Sequence, residues 1–155
     1  MKSNADIPSF DLVMVDDDAD DRYLLGEAIK SLRLNIHIKM FENGLELVAY
    51  LKMTKKLPDI VFLDLNMPLM NGFECLKELR GNSDYADICI VIFSTSANEK
   101  DIEETFILGA NVYLIKPEDF NELKQLLNKV VLFNNHYQVR HADRQTFVMR
   151  LGAKY

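Results

Sequence analysis

Four short apolar runs in this chain each end on a polar or charged residue. Leu12-Val13-Met14-Val15 leads into Asp16-Asp17, and Ile60-Val61-Phe62-Leu63 into Asp64. Ile90-Val91-Ile92-Phe93 leads into Ser94, and Val112-Tyr113-Leu114-Ile115 into Lys116. A run that is apolar at every position suits a strand covered on both faces. A charge at the end of such a strand is costly unless something compensates it. In an open α/β sheet, the carboxyl ends of the strands are also where ligands bind. If these strands lie side by side, three carboxylates, a hydroxyl and an ammonium converge on one crevice.

Helical periods separate the runs. Arg22 to Leu34 carries Tyr23, Leu24, Ala28, Ile29 and Leu32 on one stripe, and Gly44 to Thr54 carries Leu47, Val48 and Leu51. Phe73, Leu76 and Leu79 open a helix that ends near Gly81, and Glu99 to Leu108 is a helix stopped by Gly109. Between the first two helices, Ile36, Ile38 and Met40 alternate with His37 and Lys39, as in a strand with one polar face. After Pro117, Asp119 and Glu122 resemble a capping box ahead of Leu123, Leu126, Leu127, Val130 and Val131. The order is βαβαβαβαβα, which implies a parallel sheet with helices on both faces and right-handed crossovers.

Composition narrows the class. The chain has 155 residues, 48% of them hydrophobic, which is enough for one domain with a real core. Its net charge of -6 argues against a nucleic-acid-binding body. The longest apolar run, Ile88 to Phe93, is far too short for a membrane span, and Met1 to Ser9 lacks the apolar stretch of a signal peptide. A cytoplasmic protein is expected. Cys75 and Cys89 lie in apolar stretches without metal-ligand spacing and read as reduced core or near-core thiols. His37, His136 and His141 are scattered and carry no assigned chemistry.

The division expected is an N-terminal extension over 1–10, a main domain over 11–133 and a basic extension over 134–155. The last stretch carries Arg140, Arg144, Arg150 and Lys154 against Asp143, a net +3 beside -9 for the remainder. Within it, Gln145 to Leu151 is expected to be strand-like and to pair with a sheet edge or a second subunit.

The converging groups suit a divalent cation and a phosphoryl group. Mg²⁺ takes oxygen ligands and keeps several waters. Asp16, Asp17 and Asp64 would supply carboxylates, and a backbone carbonyl such as that of Asn66 another oxygen. An ionised aspartate can attack phosphorus and form an acyl phosphate. The charge on the transferred group then needs positive and hydrogen-bonding partners, roles that fit Lys116 and Ser94. Asp16 and Asp17 could instead cap the first helix. Their phase with Asp64, Ser94 and Lys116 favours the metal role.

This ordered set resembles the receiver domain of two-component response regulators, the CheY-like family. The likeness rests on Val15-Asp16-Asp17, Leu63-Asp64-Leu65-Asn66-Met67-Pro68 with Gly72 beyond it, Ser94-Thr95-Ser96, and Tyr113-Leu114-Ile115-Lys116-Pro117. The segments Phe93-Ser94-Thr95-Ser96 and Asp16 to Asp21 are most similar to the single-domain regulators of bacterial phytochrome kinases.

The resemblance implies a flavodoxin-like (βα)5 three-layer sandwich with a parallel five-stranded sheet of order 2-1-3-4-5. It implies transfer from a kinase phosphohistidine to Asp64, with Mg²⁺ on Asp16, Asp17, Asp64 and the Asn66 carbonyl. Ser94 and Lys116 would bind the phosphoryl group, and Ser94 and Tyr113 would form the switch. The expected partners are a sensor histidine kinase or phosphotransfer protein and a downstream protein target, with neither nucleic acid nor membrane. Self-association as a homodimer is one route for the output.

Such a chain is a phosphoacceptor signalling domain, with only self-catalysed phosphotransfer and dephosphorylation. Two alternatives stand beside it. One is a phosphatase with an aspartyl nucleophile, which the amide at Asn66 disfavours because it cannot protonate a leaving group. The other is an adaptor that works without phosphorylation. Asp18, Asp20 and Asp21 make the first loop unusually acidic, either to attract a cation or to meet a basic partner.

Overall fold

The alternating periods become alternating strands and helices in a computed structural model, which describes residues 9–137 and 143–151. In chain order these are β1 (Phe10–Val15), α1 (Ala19–Ser31), β2 (Ile36–Phe41), α2 (Gly44–Met53), β3 (Ile60–Leu63), α3 (Gly72–Arg80), β4 (Cys89–Ser94), α4 (Glu99–Ile107), β5 (Val112–Ile115), α5 (Phe120–Tyr137) and the short α6 (Arg144–Phe147). Most of the N-terminal extension and part of the C-terminal one lie outside the described residues.

The sheet is parallel throughout, in the order β2-β1-β3-β4-β5. Side chains alternate across it and divide the core in two. Val13, Val15, Val61, Leu63, Ile90, Ile92 and Tyr113 pack with Leu47, Leu76, Leu79 and Ile102 of α2, α3 and α4. Leu12, Met14, Ile60, Phe62, Val91 and Leu114 face the other way, toward Leu25 and Ile29 of α1 and Leu123 and Leu127 of α5. Both faces of β3 and β4 are buried, which is why these strands carry no polar residue before their ends. Cys75 and Cys89 are buried free thiols, and burial pushes both up to about 12.

Each helix after a strand starts from a short polar side chain. Asp18 accepts from the amides of Asp20 and Asp21 at the start of α1. Asn43, Asn71 and Asn98 cap α2, α3 and α4 in the same way. The α1 cap is therefore Asp18, which leaves Asp16 and Asp17 to other work.

One segment departs from expectation. Gln145 to Leu151 was expected to be extended, but Asp143 caps a single helical turn by accepting from the Gln145 amide. Only beyond Phe147 does the chain straighten. Val148 then forms a parallel bridge with Tyr113 of β5, and the Met149 amide donates to the Tyr113 carbonyl at 3.1 Å. The sheet-edge pairing is present, shortened by the cap.

The end of the sheet opposite the polar strand ends is fastened by Arg80. Its guanidinium donates to the carbonyls of Gly109, Tyr85 and Ile88 and to Oδ1 of Asn111. The same Asn111 oxygen accepts from the Ile90 amide at 2.8 Å. A planar cation with five donors can serve four acceptors at once. Replacing Arg80 with leucine takes the donor from the partly buried carbonyls of Gly109 and Ile88, whereas the Tyr85 carbonyl keeps the Ile88 amide. Urea unfolding of Arg80→Leu is expected to show a loss of about 2–4 kcal/mol, since each orphaned buried group costs roughly 1–3 kcal/mol before relaxation.

Candidate functional site

The parallel register brings the polar strand ends to one level. Val15 pairs with Leu63, so Asp16 and Asp64 leave neighbouring strands together, and the Asp64 amide donates to the Val15 carbonyl. Ser94 pairs with Ile115, and the Lys116 amide donates to the Ser94 carbonyl at 2.7 Å. Carboxylate oxygens of Asp16, Asp17 and Asp64 lie within 4.8 Å of one another. Asp16 and Asp64 are buried, and Asp17 is exposed.

Lys116 supplies the compensating charge. Its Nζ lies 2.7 Å from Asp16 Oδ2, 2.8 Å from Asp21 Oδ2 and 3.6 Å from Asp64 Oδ1. Burial opposes the ammonium, but hydrogen bonds to Asp16 and Asp21 and the charge of Asp64 outweigh it and raise its pKa above the ordinary lysine value. The lysine is a fixed cation here. Asp21 is the residue that reading the sequence did not assign. The first turn of α1 carries it over the site, whereas Asp18 of the same acidic loop serves as the helix cap.

Asp64 lies in a different balance. Burial and the neighbouring charge of Asp16 raise its carboxyl from 3.8 to about 7, although Lys116 and the Leu65 amide pull the other way. That amide donates to Asp64 Oδ1 at 2.9 Å. The loop beyond folds back tightly. The Gly72 amide donates to the Leu65 carbonyl, and a Cβ at position 72 would lie 2.2 Å from the Asp64 carbonyl oxygen. No other residue fits there without moving the backbone that carries Asp64. Asn66 is exposed two residues past Asp64.

On the opposite lip, Ser94 is buried at the end of β4 and its Oγ accepts from the Ser96 amide at 3.1 Å. Ser96 is held three times more, once through its hydroxyl oxygen, which accepts from the Asn98 amide at 3.2 Å. Its hydroxyl donates to Asp101 at 2.7 Å, and its carbonyl accepts from the Tyr113 hydroxyl at 2.8 Å. Tyr113 is fully buried. Burial raises its phenol, and hydrogen bonds with Ser96 and Ser94 partly offset that. Asp16, Asp17, Asp64 and Lys116 thus meet around one space, and Ser94 ends the neighbouring strand, joined to Lys116 through the backbone. A hard, all-oxygen donor set with no soft ligand matches Mg²⁺ or Mn²⁺. With three aspartates on Lys116 and Asp17 beside two of them, negative charge is in excess and the site favours a further cation.

The sign of the pH dependence follows. Between 3.8 and about 7 the folded chain keeps a proton on Asp64 that the unfolded chain has released. Stability contributed by this group is therefore lost as pH rises through that window. Without divalent cation, Asp64→Asn is expected to stabilise the protein by on the order of 1–2 kcal/mol above about pH 7, and not at about pH 4; one pKa unit is worth about 1.4 kcal/mol. Urea unfolding at both pH values checks this. Divalent affinity of the unaltered chain, read by calorimetry, is expected to rise up to about pH 7 and then level off.

Comparison with known proteins places these residues in a family context. Residues 12–128 match the family model for the response regulator receiver domain. Response regulator Rcp1 of Synechocystis sp. is 29% identical over 138 residues, covering 86% of this chain and 93% of that protein. The crystal structure of the phosphorylated cyanobacterial phytochrome response regulator RcpA superposes with a TM-score of 0.76 at 29% identity, over 81% of this chain and 94% of that one. The Mn²⁺-bound form of Rcp1 gives 0.70 at 27% identity, over 88% and 98%.

Proposed function

This chain belongs to the response regulator receiver domain family of two-component signalling, and we propose that Asp64 is its phosphoacceptor. The observation that carries this reading is the grouping of a buried, loop-end carboxylate with a fixed ammonium and two further carboxylates. A carboxylate oxygen of Asp64 attacks phosphorus on a donor phosphohistidine. The new P–O bond forms as the P–N bond breaks, and the imidazole nitrogen leaves with the bonding pair and takes up a proton. No general base is required, because the nucleophile reacts in its ionised form.

Lys116 and Ser94 then hold the transferred group. The ammonium lies 3.6 Å from Asp64 and can turn toward a phosphoryl oxygen while still paired with Asp21. A serine hydroxyl can accept from the Ser96 amide and donate to a phosphoryl oxygen at once. Mg²⁺ bound by Asp16, Asp17, Asp64 and the Asn66 carbonyl would keep Asp64 ionised and neutralise charge on the phosphoryl oxygens. The Mn²⁺-bound relative supports a divalent site of this kind.

The likeness to the phosphorylated phytochrome regulator supports a phytochrome-type histidine kinase, or a phosphotransfer protein charged by one, as the donor. Output passes through protein contacts, with self-association as one form, and Ser94 with Tyr113 reports the state of Asp64. Among the described residues, no helix is long and apolar enough to cross a membrane.

Incubation with acetyl phosphate and Mg²⁺, followed by borohydride trapping and mass mapping, tests the assignment. One phosphate is expected on Asp64, lost in Asp64→Asn and dependent on divalent cation. Lys116→Ala is expected to slow its formation by roughly tenfold or more. Phosphate at another residue, or none in the unaltered chain, contradicts the reading.

A further inference from the structure

The segment from Asp143 to Leu151 is built into the receiver, and its contacts converge on Tyr113. Phe147 is fully buried. Its ring lies 6.1 Å from the Tyr113 ring and 5.2 Å from the Phe106 ring of α4. Val148 bridges to Tyr113, and the Met149 amide donates to the Tyr113 carbonyl. The segment crosses the β5 edge, since Phe147 joins the core on one face of the sheet and Met149 the core on the other.

Its ends are tied to both flanking helices. Arg144 pairs with Glu103 at 2.9 Å and Glu99 at 3.3 Å on α4. The Lys129 ammonium of α5 donates to the Arg150 carbonyl at 2.7 Å. The result is a strap from α4 over β5 to α5.

From Tyr113 the contacts continue to the site. The phenol donates to the Ser96 carbonyl, and the Ser96 amide donates to the Ser94 hydroxyl oxygen. We propose that Phe147 is a positioning residue, which pins the Tyr113 ring inward and so fixes the 94–96 loop that aims the Ser94 hydroxyl at the phosphoryl group. The proposal rests on the phosphoacceptor reading for its consequence, but not for its geometry. Aromatic pairing and the edge bridge restrain the ring and backbone of Tyr113 from the side away from Asp64. Without them, the Tyr113 ring keeps its packing on the α4 side of the core and its hydrogen bond to Ser96 but loses the contacts that close it in from the sheet edge. The strap also occupies the open edge of β5, where another chain would otherwise pair.

The test uses the full chain with Phe147→Ala and Arg144→Glu, each alone and combined with Tyr113→Phe. Arg144 pairs at the surface, so its reversal loosens the strap without opening the core and decides the matter if Phe147→Ala does not fold. Amide exchange at Ser96, measured by NMR relative to the Ile90 core amide, is expected to accelerate severalfold in either single variant. Phosphorylation by acetyl phosphate is expected to slow in parallel. Both effects are expected to vanish in the Tyr113→Phe background, where the phenolic link to Ser96 is already cut. A merely structural role would instead give the same losses in both backgrounds, and that result overturns the proposal. Unchanged exchange at Ser96 overturns it as well. Failure of the unaltered chain to take phosphate on Asp64 contradicts the phosphoacceptor reading alone, and the exchange measurement then decides the strap.

Discussion

The ammonium of Lys116 is the interaction on which the site depends. Three carboxylates approach it within 4 Å, two of them at 2.7 and 2.8 Å. Without a cation at that point, a buried Asp16 beside a buried Asp64 would not be tolerated at neutral pH. The lysine does not finish the task. Asp64 remains pushed up to about 7, because burial and Asp16 outweigh the help from Lys116. The balance leaves room for one more positive partner, the place that the proposed function gives to a divalent cation and then to the phosphoryl group it helps to hold.

The fold exists to maintain this arrangement. Parallel pairing holds Val15 beside Leu63 and Ser94 beside Ile115, so side chains 100 residues apart in sequence meet in space. Burial on both faces of β3 and β4 makes these strands stiff supports. The loops beyond them are fixed in turn, where Gly72 folds back against Asp64 and Ser96 is held by Tyr113 and Asp101.

Much of this was legible in the sequence, for a specific reason. The runs ending in Asp16, Asp64, Ser94 and Lys116 are apolar throughout, and their alternation with amphipathic helices is what selects doubly covered parallel strands. Once the sheet was parallel, the polar ends had to share one edge. Other features left no comparable trace. Asp21 belonged to a row of acids, and nothing in the row distinguished the one that reaches Lys116 from the one that caps α1. Phe147 stood in an alternating stretch that read as extended, but Asp143 turned the chain first, so the phenylalanine enters the core from a helical turn. Arg80 drew no assignment from the sequence, because its four acceptors come from segments whose proximity depends on the tertiary fold. Charge at strand ends is encoded locally, whereas which surplus charge meets which partner is not.

The proposed function stands on one divalent cation binding at the carboxyl edge of the sheet, among Asp16, Asp17 and Asp64. Paramagnetic line broadening during a Mn²⁺ titration tests it most directly, because broadening falls steeply with distance from the ion. The account predicts early loss of amide signals around residues 16–17, 64–66 and 94–96, and retention of those near Arg80 at the far end of the sheet. Broadening centred on another acidic patch, such as Asp11 and Asp59, would contradict it.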